Sequence, residues 1–163
     1  MADITYSKRA TQRRNSTGLS PGKGDSHSVK MLVSASIELT ASASGSTVLL
    51  GRIPTTARIN ARGLVYNDDL ATSGSPTLDI GLASVGANVT SDPDAIANGI
   101  ALSTATTTTA VMTDPANAGK MAWELVSGLT ADPGGELDVY ASVVDAATTA
   151  TGSLAVQLFG YFD

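Results

Sequence analysis

Cysteine is absent from the 163-residue chain, and histidine occurs once, as His27. No disulfide framework, thiolate zinc site or thiol nucleophile can be built. A two-histidine metal site and a His-dependent triad are excluded unless His27 serves alone. That residue sits between Ser26 and Ser28, a setting that suits a solvated side chain. Charged residues make up only 15 % of the chain and aromatics only 4 %, too few for the Glu, Lys and Leu heptads of a coiled coil. No apolar run approaches the roughly 20 residues that span a bilayer. The start is polar and basic, without the apolar stretch of a secretory signal, so Asn15 and Asn88, each in an N-x-[ST] match, are expected to stay unmodified. The elbow G-x-S-x-G, the helix motif H-E-x-x-H and the phosphate loop G-x-x-x-x-G-K-[ST] are all missing. Gly22-Lys23-Gly24 has neither the strand before it nor the helix after it that a phosphate loop needs.

What the chain has in abundance is Ala (24), Thr (20), Ser (18) and Gly (16), nearly half of all residues. Thr, Ser and Gly are poor helix formers, which disfavours a long helical bundle. Apolar residues still reach 42 %, enough for one domain with a real core.

Charge divides the sequence in two. Residues 1–30 hold Lys8, Arg9, Arg13, Arg14, Lys23 and Lys30 against Asp3 and Asp25, net +4; residues 31–163 hold four basic residues against thirteen acids, net −9. The first segment is almost free of large apolar side chains and carries turn formers at 20–25. It reads as an extended arm that orders only on a surface. An acidic partner, such as a neighbouring copy of the body, suits its charge. Thirty extended residues reach up to about 100 Å. Nucleic acid is a lesser reading: Lys8-Arg9 and Arg13-Arg14 could neutralise phosphates, but the chain is acidic overall and Tyr6 is the one nearby aromatic.

Residues 31–163 read as strands. Met31, Val33, Ala35, Ile37 and Leu39 alternate with Leu32, Ser34, Ser36 and Glu38, a period of two. Ser44-Gly45-Ser46 predicts a turn, Thr47 to Ile53 a second strand closed by Pro54, and Ala57 to Asn67 a third. Leu78, Ile80 and Leu82 alternate with Thr77, Asp79 and Gly81, which places Asp79 on a polar face. Asp92 and Pro93 fit the N-cap and first position of a short helix carrying Ile96 and Ile100. Residues 104–113 are Thr-rich and favour a strand. Met121, Trp123 and Leu125 alternate as another, with Trp123 as the large core anchor. Leu137, Val139, Ala141 and Val143 alternate in the next; Leu154, Val156, Leu158 and Phe162 share one face of the last. Phe159 and Tyr161 then face outward, where they call for a partner. About eight short strands separated by turn residues predict an all-β, antiparallel β-sandwich, jelly-roll-like, preceded by the arm.

No set of residues makes an active site. Asp68-Asp69 and Asp92 with Asp94 could in principle hold calcium or act as an acid–base pair, yet their spacing is that of turns and caps. No metal and no cofactor are expected. The candidate partner-binding residues are Lys8, Arg9, Arg13, Arg14, Lys23, Phe159 and Tyr161.

Four stretches, 48–59, 77–82, 135–140 and 152–161, together resemble the head decoration (cement) proteins of tailed bacteriophages. Leu50-Gly51-Arg52-Ile53-Pro54 is similar to their Leu-Gly-x-Ile-Pro strand and Leu78-Asp79-Ile80-Gly81 to their Leu-Asp-Ile-Gly strand. A Gly-started strand from Gly135 and a closing aliphatic-aromatic strand from Gly152 complete the order. The resemblance covers roughly residues 46–84 and 134–162, and nothing in the arm. It implies a non-enzymatic β-sandwich that binds the outside of an icosahedral capsid at subunit junctions, often as a homotrimer. Its partner would be the major capsid protein, its place the exterior of the virion, and its assembly site the host bacterial cytoplasm, with no membrane involved. A fibre or spike module binding host glycans is the alternative on the same architecture. Tyr66 near Asn67, Asp68 and Asp69 would be its sugar-stacking group.

Overall fold

The computed structural model describes residues 29–85 and 92–161. The arm residues 1–28, the Asn88 match and Phe162 lie outside the described residues. Eight strands follow one another: β1 (Lys30–Leu39), β2 (Thr47–Pro54), β3 (Arg58–Asn67), β4 (Thr77–Ser84), β5 (Asp92–Ala101), β6 (Thr106–Ala110), β7 (Glu136–Val144) and β8 (Gly152–Tyr161).

The strands form two four-stranded sheets, β1-β8-β3-β6 and β2-β7-β4-β5. Every pairing within them is antiparallel. Strand β1 pairs with β8, β2 with β7, β3 with β6 and β4 with β5. Those are the four pairs of one long hairpin folded over on itself. The added contacts β3–β8 and β4–β7 roll that ribbon into two sheets. The expected jelly-roll-like sandwich is therefore present, with the strand order of a complete eight-stranded roll.

Side-chain alternation explains the layers. In β8, Leu154, Val156 and Leu158 are buried, while Ser153, Ala155, Gln157 and Phe159 are half-buried on the opposite face. In β7, Leu137, Val139, Ala141 and Val143 point inward. The core between the sheets is built from Ile, Leu, Val, Ala and Met alone; no aromatic ring is among the buried residues described. Trp123 does not anchor it: the ring is half-buried, and its Nε1–H donates to Met121 Sδ at 3.3 Å.

Two expectations fail in compensating ways. Residues 92–101 form a strand, not a helix, paired with β4 through two register shifts. Gly99, at φ 74°, breaks a helical run there, and β5 is an edge strand, where the missing N–H of Pro93 is tolerated. Residues 121–125 form no strand. Ala122–Leu125 is a single helical turn, its start fixed by the Met121 N–H donating to Glu124 Oε2 at 2.7 Å. Ala122 and Leu125 in the turn and Val126 directly after it are buried, and that i, i+3, i+4 spacing competes with the alternation of Met121, Trp123 and Leu125.

Two glycines are needed where they stand. Gly45 turns the chain from β1 into β2 at φ 87°, as Ser44-Gly45-Ser46 predicted, and its N–H donates to Val143 O at 2.7 Å. Gly81 leaves room for Asp92 and Pro93, whose backbone crosses where a Cβ would stand.

Candidate docking surfaces

With the inner faces consumed by the core, the outer faces and the loops remain for function. On the first sheet, cross-strand rows can be read from the register. Met31 stands opposite Phe159; Ser34, Gln157 and Leu64 form the next row; Ser36, Ala155 and Tyr66 the next. Tyr161 stands opposite Arg58. This face is therefore hydroxyl- and amide-rich, with an apolar spot at one end. Met31 is 54 % exposed and Phe159 half-buried beside it. Tyr161 is partly covered by the chain itself, since a side chain at Gly119 would meet its hydroxyl at 3.3 Å. The structure thus brings Phe159 and Tyr161 onto one face. Lys8, Arg9, Arg13, Arg14 and Lys23 belong to the segment that is not described.

The outer face of the second sheet has another character. Its rows are Pro54–Glu136, Arg52–Asp138–Ala83, Leu49–Tyr140–Gly81 and Thr47–Ser142–Asp79. Its strands carry Asp79, Asp92, Asp94, Glu136 and Asp138 against Arg52, net −4, although Asp92 stands opposite the core-facing Leu82 and accepts from the Ser127 N–H at 2.9 Å. The strands of the first sheet carry Lys30, Arg58 and Arg62 against Glu38, net +2. The one basic side chain of the second sheet is already engaged, Arg52 Nε lying 2.6 Å from Asp138 Oδ1. Leu49, 59 % exposed, and Tyr140 occupy the middle of this acidic face.

Asp79 stands in an outward row, as its alternation predicts, yet it is not open to solvent. It is only 9 % exposed, and its Oδ1 accepts from the Gly99 N–H at 2.8 Å. Burial pushes its carboxyl above the usual range, the Gly99 hydrogen bond opposes that, and the nearby charges of Asp94 and Asp145 add to the rise. Asp145 closes the turn after β7 at φ 62°, a conformation that Asp tolerates, and its Oδ2 accepts from the Thr77 hydroxyl at 2.5 Å.

The Tyr66 ring is exposed, and its group is bound up in local hydrogen bonds. The Tyr66 hydroxyl donates to Asp68 Oδ1 and the Ser153 N–H to Asp68 Oδ2, both at 2.7 Å. These bonds, the Ser153 one first, hold the Asp68 carboxyl below the usual carboxylate range. Asn67 is fully buried, its amide donating to the Asp68 and Thr104 carbonyls. The Asp69 carboxylate caps the turn at Ala71. Of these residues Asn67 is buried away from any ligand, while Tyr66, Asp68 and Asp69 serve local strand and turn geometry.

Among the described residues no three His, Cys, Asp or Glu side chains come together to hold a metal ion, and no helix is long and apolar enough to cross a membrane. The acidic face escaped the sequence reading. The outward positions of Glu136, Asp138 and Tyr140 were visible in the alternation of β7, but which strands lie beside β7 was not.

No protein-family model and no curated protein sequence matches the chain. Two solved structures share its fold nearly end to end. One is a chain of the cyanophage Pam1 capsid asymmetric unit, 21 % identical with a TM-score of 0.56, the match covering 92 % of this chain and 96 % of that one. The other is a chain of the capsid of Ralstonia phage GP4, 19 % identical with a TM-score of 0.55, covering 91 % and 93 %.

Proposed function

We propose that this chain is a non-enzymatic virion structural protein of a bacteriophage, bound to the outer surface of an icosahedral capsid and stabilising the junctions between shell subunits. The observation that carries the reading is the end-to-end match of a whole jelly roll to chains of two phage capsids, more than nine-tenths of each chain being covered in both cases. Each neighbour is thus a chain of about this size, a single small sandwich within a larger particle. That suits an addition to a shell, as the decoration-protein resemblance implies.

The physical mechanism is a clamp. A shell under outward pressure parts first where its subunits meet. A protein that binds the assembled junction, and not the free subunit, shifts the equilibrium toward the closed shell by mass action. Weak contacts suffice if three copies act together, because linked sites raise the effective concentration of the second and third contacts. The outer face of the first sheet, with Phe159, Tyr161 and Met31, supplies an apolar contact. The basic residues Lys8, Arg9, Arg13, Arg14 and Lys23 supply charge and reach.

The test is occupancy on purified heads that lack the chain. Full-length protein is expected to bind them saturably and to raise the temperature at which they release DNA. Deleting residues 1–28 is expected to lower occupancy and to flatten its salt dependence. Heads that gain no protein and no heat resistance would contradict the reading.

A further inference from the structure

We propose that Asn98–Gly99 is a deamidation site that folding holds shut, with Asp79 and Asp94 as its two latches. This chemistry is independent of capsid binding.

The dipeptide is the single Asn-Gly pair of the chain. Asparagine is thermolabile, because its side-chain amide can react with its own backbone. The backbone nitrogen of the next residue attacks the asparagine Cγ and gives up its proton. The side-chain nitrogen leaves as ammonia, and a five-membered succinimide remains. Water then opens the ring, at one carbonyl to aspartate and at the other to isoaspartate. Glycine in the second position favours the attack, since no Cβ hinders the approach. Asn98 and Gly99 are both exposed, so water reaches the ring.

The fold puts this pair in a β-bulge. Leu78 stands opposite Ile100 and Ile80 opposite Ala97, so Asn98 and Gly99 together face Asp79 alone. Gly99 takes up the extra residue at φ 74°. Each reacting group is held there. The Gly99 N–H donates to Oδ1 of the buried Asp79 at 2.8 Å. Asn98 Nδ2 donates to Asp94 Oδ2 at 2.8 Å, and the Asn98 N–H donates to Thr113 Oγ1 at 2.7 Å. Ring closure needs the Gly99 nitrogen to leave its acceptor and the Asn98 carboxamide to turn toward it. Both latches must therefore open together.

Asp79 touches the proton that the reaction removes, which is where a base would stand. Charge and geometry weigh against that role. The attack builds negative charge on the Asn98 side-chain oxygen, and two neighbouring carboxylates repel it, the reverse of an oxyanion hole. An N–H held by a fixed acceptor also keeps its nitrogen from the carbon it must reach, and a misplacement of about 1 Å can slow a reaction about 100-fold. The buried carboxylate thus satisfies the N–H of the bulge and keeps it from reacting. Isoaspartate at this position would lengthen the backbone by one carbon between the buried Ala97 and Ile100 and disturb their pairing with β4.

Peptide mapping by mass spectrometry after long incubation at neutral pH tests this, because it reads ammonia loss and isoaspartate at each Asn. In the folded full-length chain, Asn98 is expected to react at least about tenfold more slowly than in the same chain held in urea. Asp79→Ala is expected to raise the folded rate about tenfold. Asp79→Asn keeps an acceptor oxygen and is expected to stay near the wild-type rate. Asp94→Ala, at an exposed position, is expected to give a several-fold rise with the fold intact, and it carries the test if Asp79→Ala does not fold. Leu158→Ala, a loss of packing in the other sheet, is expected to raise the rate less than Asp79→Ala does. Equal rates in the folded chain and in urea would overturn the proposal, as would Leu158→Ala matching Asp79→Ala, which would make general unfolding the route. Asp79→Ala or Asp94→Ala reacting no faster than the wild type would also overturn it, and a slower Asp79→Ala would identify that carboxylate as a base.

Discussion

Val156 in β8 and Val139 in β7 occupy equivalent places, each fully buried in an inner strand of its own sheet. One step along, the equivalence ends. Val156 is flanked on the outer face by Ala155 and Gln157, Val139 by Asp138 and Tyr140. The inner faces answer to one demand, dense aliphatic packing, and the two sheets meet it in the same way. The outer faces answer to whatever lies against them, so they are free to differ. One became polar and mildly cationic with an apolar end, the other acidic. Of the five acids on the second sheet's strands, Asp138 is paired with Arg52, Asp79 is buried and Asp92 accepts from the Ser127 N–H opposite the core-facing Leu82, which leaves Glu136 and Asp94 as its exposed carboxylates without a salt bridge among the described residues.

The largest effects should ignore the difference. Leu158→Ala in the first sheet and Leu82→Ala in the second each remove a fully buried side chain, and each is expected to cost about 3 kcal/mol in urea unfolding. A much smaller cost on one side would break the idea of a single shared core.

A smaller effect separates the faces by pH. Asp79 has its carboxyl raised by burial. The stability it contributes is complete below the ordinary carboxylate range and is lost as pH rises through its raised value. Asp68 is the opposite case, lowered by the Ser153 and Tyr66 hydrogen bonds. Its contribution is present above the ordinary range and is lost as pH falls through its lowered value. Asp79→Asn keeps an oxygen for the Gly99 N–H and should therefore raise the melting temperature at neutral pH, with the gain vanishing in acid. Asp68→Asn should lower it at neutral pH, again with no difference in acid. Melting curves recorded across pH that show the same sign for both variants would contradict the assignment.

The smallest stability effect sharpens the contrast most. Arg52→Ala removes a solvent-exposed ion pair and is expected to leave the urea midpoint almost unchanged. Phe159→Ser on the other sheet should likewise cost little stability while reducing occupancy on heads, because its ring is only half-buried within the chain.

Much of this architecture is legible in the residues themselves. The period of two in β1, β7 and β8 gives both the strands and their inward faces, and Gly45 and Pro54 mark real ends. A count of eight follows from the sequence because two errors cancel. Asp92 and Pro93 point to a short helix, since local capping signals carry no information about a partner strand, yet 92–101 pair as β5. Residues 121–125 point to a strand, since five residues satisfy either period, yet they make a helical turn. The size of Trp123 points to the core, yet the space between the sheets is filled by medium aliphatics. The burial of Asp79 and the acidic face were illegible for one reason. Each is assembled from strands far apart in the chain, and charge on a sheet depends on pairing that no local pattern encodes.

The most direct test of the capsid assignment is electron cryo-microscopy of purified virions alongside virions made without this chain. The account predicts additional density of one jelly roll per copy on the outside of the shell, over the junctions between capsid subunits. Identical maps, or density for the chain confined to the interior or the tail, would contradict it.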